Sequence, residues 1–448
     1  MKSRTSFVAI IISGAWAGIS TGAASAGDLV VSIPNTPKPG YLESYIGPTF
    51  GSKVTRITGD PGTAMNFSES GNSGTWDAVA RYQYSKVPAW NAGQSLLYLG
   101  RNDGFSSAPF LDGNDYTPVF TRNVHVHPGN EMRWNPAKAK ADQMIYVNAA
   151  EATLGTWNVR TQAKQVIDTF VGYTDLGIGP FEGNISQDGR MIAVNARKNG
   201  SPVAFAYEMV PNIKHADIDL SGMTPYDGAN TGLDCASASA SGNYVVANGR
   251  FNTDNRFGGL DQTQIYDLDG SKIGGLWDTY GQPSHYDLTL DENGNDIAAG
   301  VSKSSSGDGL VVKRRLDTGE ITELTDGGYA TPTSTRNIDR PGWAHATYDY
   351  EGPSYPPYYG EVMAVKLDGS GTVERIAHLN TLVDSYLDPY LAQSQAVASP
   401  DGSRVLWASN RDDRNAPIGA FLSLSMKCLN HQVLHFWRVV VLYSYVDV

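Results

Sequence analysis

The chain has eight histidines, and four of them stand in short polar strings. His125 and His127 come just ahead of Glu131 and Arg133. His285 is followed by Tyr286 and Asp287, and His345 follows Arg340 and Trp343. Histidine is the side chain that gives and takes a proton near neutral pH. Arginine close by can hold an anion, and tyrosine can supply a proton. Carboxylates occur in equivalent strings, at Glu131, Glu182, Asp234 and Asp287, so hydrolysis by a carboxylate pair is permitted. Beyond residue 26 the sequence contains no Gly-x-Ser-x-Gly elbow, no phosphate-binding Gly-x-x-x-x-Gly-Lys-Ser/Thr loop, no Cys-x-x-Cys and no His-Glu-x-x-His. Nucleophilic serine, nucleotide and zinc-peptidase chemistries therefore lack their usual signatures.

These strings precede copies of one repeated element. Its clearest copy is Val397–Ser409, VASPDGSRVLWAS. It reads as two strands joined by a turn on Asp401-Gly402, the strongest short-range hairpin signal. Other copies are Trp90–Gly100, Trp134–Asn148, Asn184–Val194, Ser237–Ala247 and Leu288–Gly300. They recur about every 50 residues, within the range of propeller repeats. The gap between Leu288 and Val397 is about two periods, which predicts a degenerate copy near residue 342. There Trp343–Tyr348 is expected as the inner strand and Gly360–Leu367 as the next. Most hairpins are followed by a strand ending in an Asp/Gly turn, as in Thr263–Gly270, Val312–Gly319 and Val362–Gly369. Short apolar segments then follow, at Lys272–Trp277, Glu320–Leu324 and Val373–His378. Four antiparallel strands per unit, repeated radially, predict an all-β, seven-bladed β-propeller of four-stranded blades. An open repeat array or two β-sandwiches are the competing arrangements.

The ends and the charge set the remaining bounds. Lys2 and Arg4, the apolar Phe7–Ile19 and Ala24-Ser25-Ala26 read as a secretory signal peptide over residues 1–26. A Pro- and Gly-rich arm (27–46), the propeller (47–425) and an atypical tail (426–448) are expected to follow. A secreted or periplasmic monomer results, with no membrane span. The formal charge of −12 disfavours nucleic acid, which needs a basic footprint. It also requires any anionic substrate to be met by a local cluster of Arg, Lys and His. Cys235 and Cys428 are too few to imply a disulfide framework, although an oxidising compartment permits them to pair. From Met426 the sequence turns apolar and basic without turn signals. Either Val439–Val446 closes the ring, or the reading frame there differs from that of relatives; the abrupt change in composition favours the second.

In a propeller the first strand of each blade lines the central channel, and the residues leading into it face the channel mouth. Those residues are Arg81, Tyr82, Tyr84 and Lys86 in blade 1, and His125, His127, Asn130, Glu131 and Arg133 in blade 2. Blade 3 offers Glu182 and Asn184, blade 4 Asp234 and Cys235, and blade 5 His285, Tyr286 and Asp287. Blade 6 is expected to offer Arg340, Trp343 and His345, and blade 7 Gln393 and Gln395. Polar residues at such positions also hold neighbouring blades together, and Glu182-Gly183-Asn184 and Asp234 look most structural. Trp90, Trp134 and Trp343 read as packing between blades. His127, before Pro128-Gly129, is expected at a sharp, exposed turn.

Several strings together resemble a known group. They are Tyr84-Ser85-Lys86 with Trp90-Asn91-Ala92, His127–Trp134, Glu182-Gly183-Asn184, Ser284–Asp287 and Ala396–Asp401. From Phe50 to Arg411 the chain resembles secreted bacterial propeller polysaccharide lyases of the ulvan lyase and oligogalacturonide lyase type. The resemblance implies β-elimination on an acidic polysaccharide that contains uronic acid, such as ulvan. That reaction needs a cation on the uronate carboxylate, a base for the adjacent carbon-bound proton and an acid for the departing oxygen. Arg133 or Arg340 would be the cation, His127 or His285 the base, and Tyr84 or Tyr286 the acid. His125, Glu131, Asn184, Arg340 and His345 would bind substrate. The resemblance also implies a divalent metal ion (Ca, Mn or Zn), with His285 and Gln395 as ligands, and no organic cofactor. At the last blade this chain has Gln393 and Gln395 where the oligogalacturonide type offers histidines. A non-catalytic propeller binding glycans or protein, and a glycoside hydrolase, are the alternatives.

Overall fold

The computed structural model describes residues 30–102, 108–124, 131–179, 182–223, 233–251, 262–277, 283–304, 307–349, 357–385 and 387–424. They form seven sheets arranged as a β-propeller, with one single-turn α-helix, Pro389–Ala392. Blades 2, 4, 5 and 6 are regular four-stranded antiparallel sheets. Blade 5, for example, runs Pro283–Leu290, Asp296–Ser302, Val311–Arg315 and Ile321–Glu323. In blades 1 and 3 the innermost edge is reduced to single bridges, Trp90 to Leu97 and Ile185 to Ile192.

The ring is closed by the N-terminal side of the chain. Lys53–Arg56 pairs antiparallel with Ile418–Leu424, the third strand of blade 7, and Ser44–Ile46 adds the outermost strand. The role considered for Val439–Val446 is thus filled by Lys53–Arg56; the C-terminal residues themselves lie outside the described residues, as does the expected signal peptide.

Each blade is too thin to bury both of its faces, so the core lies between blades. Among the described residues seven large apolar clusters occur, one at each interface around the ring. Ile145, Val147 and Leu154 of blade 2 pack on Ile192, Val194 and Phe205 of blade 3. Leu97 and Leu111 of blade 1 meet Leu406 and Leu422 of blade 7. Trp90 and Trp134 sit in two of these interfaces, and Trp343 packs against a third, which is the packing role the sequence predicts for them.

A polar residue opens the turn after every inner strand. Asn91 Oδ1 accepts from the Leu96 N–H, Ser186 Oγ from Met191, Ser239 Oγ from Tyr244, Asp291 Oδ1 from Asn295 and Ser399 Oγ from Arg404. Asn135 Oδ1 caps Ala137, and Asn337 Nδ2 donates to the Trp343 carbonyl. Short polar side chains that bond the backbone a few residues on specify a tight turn. This series corrects the expectation for blade 6. Its inner strand is Thr333–Ser334, and Trp343–Tyr348 is the second strand. Thr333 and Ser334 are polar but wholly buried, because blade 5 covers them: Thr333 Oγ1 donates to the carbonyls of His285 and Ala299.

Candidate functional site at the channel mouth

The residues that lead into the inner strands converge from blades 1, 3, 4 and 5. Lys86 of blade 1 is 4% exposed, and its ammonium is bonded to the Glu182 carboxylate of blade 3. Its Nζ also lies 5.0 Å from the ring centroid of Tyr286 and 6.0 Å from that of Tyr84, within the range of cation–π attraction. Asn184 Nδ2 donates to the Lys86 carbonyl at 2.9 Å, which fixes the backbone that carries the lysine. Asp234 and Cys235 of blade 4 complete the group. The ligand atoms of Glu182, Asp234 and Cys235 all lie within 4.8 Å of one another.

Local backbone features aim these side chains. The pairing of blade 4 slips between Leu233 and Cys235, and that of blade 5 between Ser284 and Asp287. Such bulges re-aim side chains and are common beside functional sites. His285 sits in the second bulge with φ 46°, a strained conformation for a residue with a Cβ. Gly183 lets blade 3 approach blade 4: a Cβ there would stand 1.6 Å from the Ile178 carbonyl oxygen and 2.4 Å from that of Ala236.

Electrostatics divide the group into fixed charges and proton carriers. Burial works against the Lys86 charge, but Glu182 and its other neighbours outweigh it and hold the pKa above the ordinary lysine value. Burial, then the Glu182 charge, raises the Asp234 carboxyl. Asp234 Oδ2 accepts from Asn248 Nδ2 at 2.9 Å, and Asn248 Oδ1 accepts from Thr263 Oγ1 at 2.8 Å. Thr263 Oγ1 also lies 3.5 Å from the Tyr286 hydroxyl. Burial raises Tyr84 and Tyr286 well above the usual phenol value. Burial likewise raises the Cys235 thiol. His285 opens to solvent, with Nδ1 3.0 Å from Ser284 Oγ. The enclosure of the mouth, and then the Lys86 charge, push it down to about 4. At neutral pH it is an uncharged imidazole able to accept a proton.

The other sequence-predicted residues fall elsewhere. His125 and His127 lie outside the described residues. Arg133, 2% exposed, donates from Nε to the Gly183 carbonyl and from Nη1 to that of Met132, and stands 3.6 Å from Glu131. It ties blade 2 to blade 3. Asn184, through Lys86 and the Ser237 hydroxyl at 2.9 Å, ties blades 1, 3 and 4. Arg340 is in the turn of blade 6, bonded to both oxygens of Glu374 at 3.1 Å and stacked on Trp343 at 4.2 Å. It is therefore at the turn end of the blade and does not lead into the inner strand. His345 is in the second strand and wholly buried, with no hydrogen-bond partner for either ring nitrogen among the described residues. It has no surface to offer a polymer. Gln395 Oε1 accepts from Arg81 Nη2 at 2.7 Å, so a guanidinium already holds the oxygen considered for a metal. Asp287 is buried in a two-point ion pair with Arg336, both contacts at 2.8 Å.

Sequence reasoning read Glu182 and Asp234 as contacts between blades or as members of a carboxylate pair, and the structure groups both with Lys86. The signal was present in the repeat: Glu182 and Cys235 stand four residues ahead of the turn-opening Ser186 and Ser239, as Gln395 does ahead of Ser399.

No model of a protein family matches the chain, and no curated protein matches it in sequence. Solved structures share its fold. An oligogalacturonate lyase in complex with manganese is 12% identical with a TM-score of 0.56, and the match covers 86% of this chain and 97% of that one. The oligogalacturonate lyase of Vibrio parahaemolyticus gives 12% identity and a TM-score of 0.56, over 85% of this chain and 96% of that one. At such identity the likeness defines the architecture, and the chemistry has to be argued from the mouth.

Proposed function

We propose that this protein is an exported polysaccharide lyase that cleaves a uronate-containing polymer by β-elimination. The observation that carries the reading is His285: an uncharged imidazole, open to solvent, held on a strained bulge within the field of the Lys86 ammonium. A base of this kind removes the carbon-bound proton beside a uronate carboxylate, and a neighbouring cation makes that proton more acidic. The carbon–hydrogen electron pair forms the double bond, and the glycosidic carbon–oxygen bond breaks. The departing oxygen takes a proton from an acid; Tyr84 and Tyr286 keep theirs at neutral pH. The names of the two similar lyases make oligogalacturonate a first substrate to examine, and ulvan is the second. A signal peptide at residues 1–26 would carry the chain out of the cytoplasm; among the described residues no helix is long and apolar enough to cross a membrane.

One observation favours a second reading. Glu182 and Asp234 present carboxylate oxygens within 4.8 Å of each other, with the Asp234 carboxyl raised, a combination that hydrolysis by an acid and a nucleophile also uses. Incubation with oligogalacturonate, ulvan and alginate separates the two. A lyase generates an unsaturated product absorbing at ~235 nm, because proton loss creates a conjugated double bond. New reducing ends without that absorbance would assign a hydrolase, and neither signal on any of the polymers would remove both enzymatic readings.

A further inference from the structure

Lys86 is the member of the mouth that proton transfer alone leaves unexplained. A lysine this deeply buried is rare unless its charge is held by partners. Its partners are the Glu182 carboxylate and the faces of Tyr286 and Tyr84. Beside them Asp234 and Cys235 place an oxygen and a sulfur within 4.8 Å of the Glu182 oxygen. Two carboxylates and a thiol at that spacing are donors that a divalent ion could take. Here an ammonium is already bonded to one of them, and an incoming dication would be repelled by it at short range. The ligand pair expected from the sequence gives no second place, since Arg81 occupies the Gln395 oxygen. The residues present therefore do not fit a metal alongside Lys86.

We propose that Lys86 is the built-in cation of the mouth, standing where a divalent ion would otherwise bind, and that its ligand is the carboxylate of a uronate sugar. Glu182, partly exposed, is the anion that the incoming carboxylate displaces from the ammonium. The identity of the ligand rests on the lyase reading; the exclusion of metal does not, and the two are measured separately.

Titration calorimetry of the full chain with MnCl2 tests the metal part. Wild type is expected to show no saturable binding up to about 1 mM. Lys86→Met uncovers two carboxylates and is expected to bind one Mn2+ at least about tenfold more tightly than wild type. Lys86→Gln, whose amide can still donate to Glu182, gives the same comparison if the methionine variant does not fold. One equivalent of Mn2+ bound by wild type and lost in Glu182→Gln would overturn the proposal. So would a folded Lys86 variant that gains no affinity for the ion. For the ligand, binding of a galacturonate oligomer is measured in EDTA. Wild type is expected to bind and the Lys86 variants to weaken by roughly tenfold or more. Binding that appears only after Mn2+ is added would overturn the role of Lys86. Binding of the oligomer in EDTA, with no unsaturated product from it, from ulvan or from alginate, would instead keep that role while ending the lyase reading.

Discussion

Two sets of charged residues lead into the inner strands of this ring, and they are built differently. Between blades 7 and 1, Arg81 is wholly buried and spends its guanidinium on backbone: the carbonyls of Leu391 and Gln393, and the Gln395 side chain. Tyr82 donates to the carbonyls of Ser394 and Gln395, and Asp349 accepts the Ser394 N–H. Most partners there are backbone groups of a neighbouring blade. At the mouth formed by blades 1, 3, 4 and 5, the partners are themselves ionisable: Lys86 with Glu182, beside Asp234, Cys235 and His285. A charge satisfied by carbonyls has one stable protonation state and serves as a clasp. A charge satisfied by other titrating groups can be exchanged for a ligand's charge. Position in the repeat is shared by both sets; the kind of partner separates them.

The largest expected effect falls on the mouth. His285→Ala should lower the rate of uronate cleavage by about 10²–10⁴-fold, with unfolding by urea displaced by less than ~1 kcal/mol, since the ring is exposed. Loss of stability with retained specific activity would place His285 among the clasps. The acid limb of kcat/KM should fall near pH 4, because below that value His285 is already protonated by solvent and is lost as a base. In Lys86→Met, where one of the groups depressing His285 is gone, the limb should move upward towards the ordinary histidine value. A limb that stays in place would mean that Lys86 does not act on the base.

The clasp should respond in stability. Arg81→Met removes the donor to four acceptors and should lower the unfolding free energy by about 3 kcal/mol or more, measured by urea titration, while the activity of the folded fraction stays unchanged. A smaller effect comes from Asp349, whose carboxyl burial pushes up to about 6 from its ordinary value of 3.8. The native state then holds this proton more tightly than the unfolded chain does. Its contribution is complete below pH 3.8 and is lost as pH rises through about 6. Wild type should therefore lose about 2 kcal/mol more than Asp349→Asn between pH 4 and pH 7. Equal losses in the two proteins would show that Asp349 is ionised across this range.

The repeat made most of the fold legible. Asp-Gly turns marked the hairpins, and the third and fourth strands at Gln262–Asp267, Lys272–Trp277 and Val373–His378 lie where the strand, Asp/Gly turn and apolar segment predict them. Blade 6 was misread because Thr333–Ser334 is a polar strand buried by neighbours, whereas Trp343–Tyr348 has the stronger β pattern. That shift by one strand carried Arg340 and His345 to the mouth on paper. The mouth itself was half legible. His285, Tyr84 and Tyr286 stood out by residue type, but the bond between Lys86 and Glu182 spans three blades and leaves no local trace. Bulges, which aim Asp234 and His285, depend on strand register and not on composition.

The pairing of Lys53–Arg56 with Ile418–Leu424 has a consequence for how the molecule comes into being. Lys53–Arg56 must wait for Ile418–Leu424 before it acquires its partner in blade 7. No partial chain can complete the ring, so contacts spanning nearly all of the described residues form at the end, and such contacts make folding slow. The channel mouth, assembled from four separate blades, then becomes competent only in the finished circle, so an incompletely delivered chain would carry all of its chemistry and none of its activity.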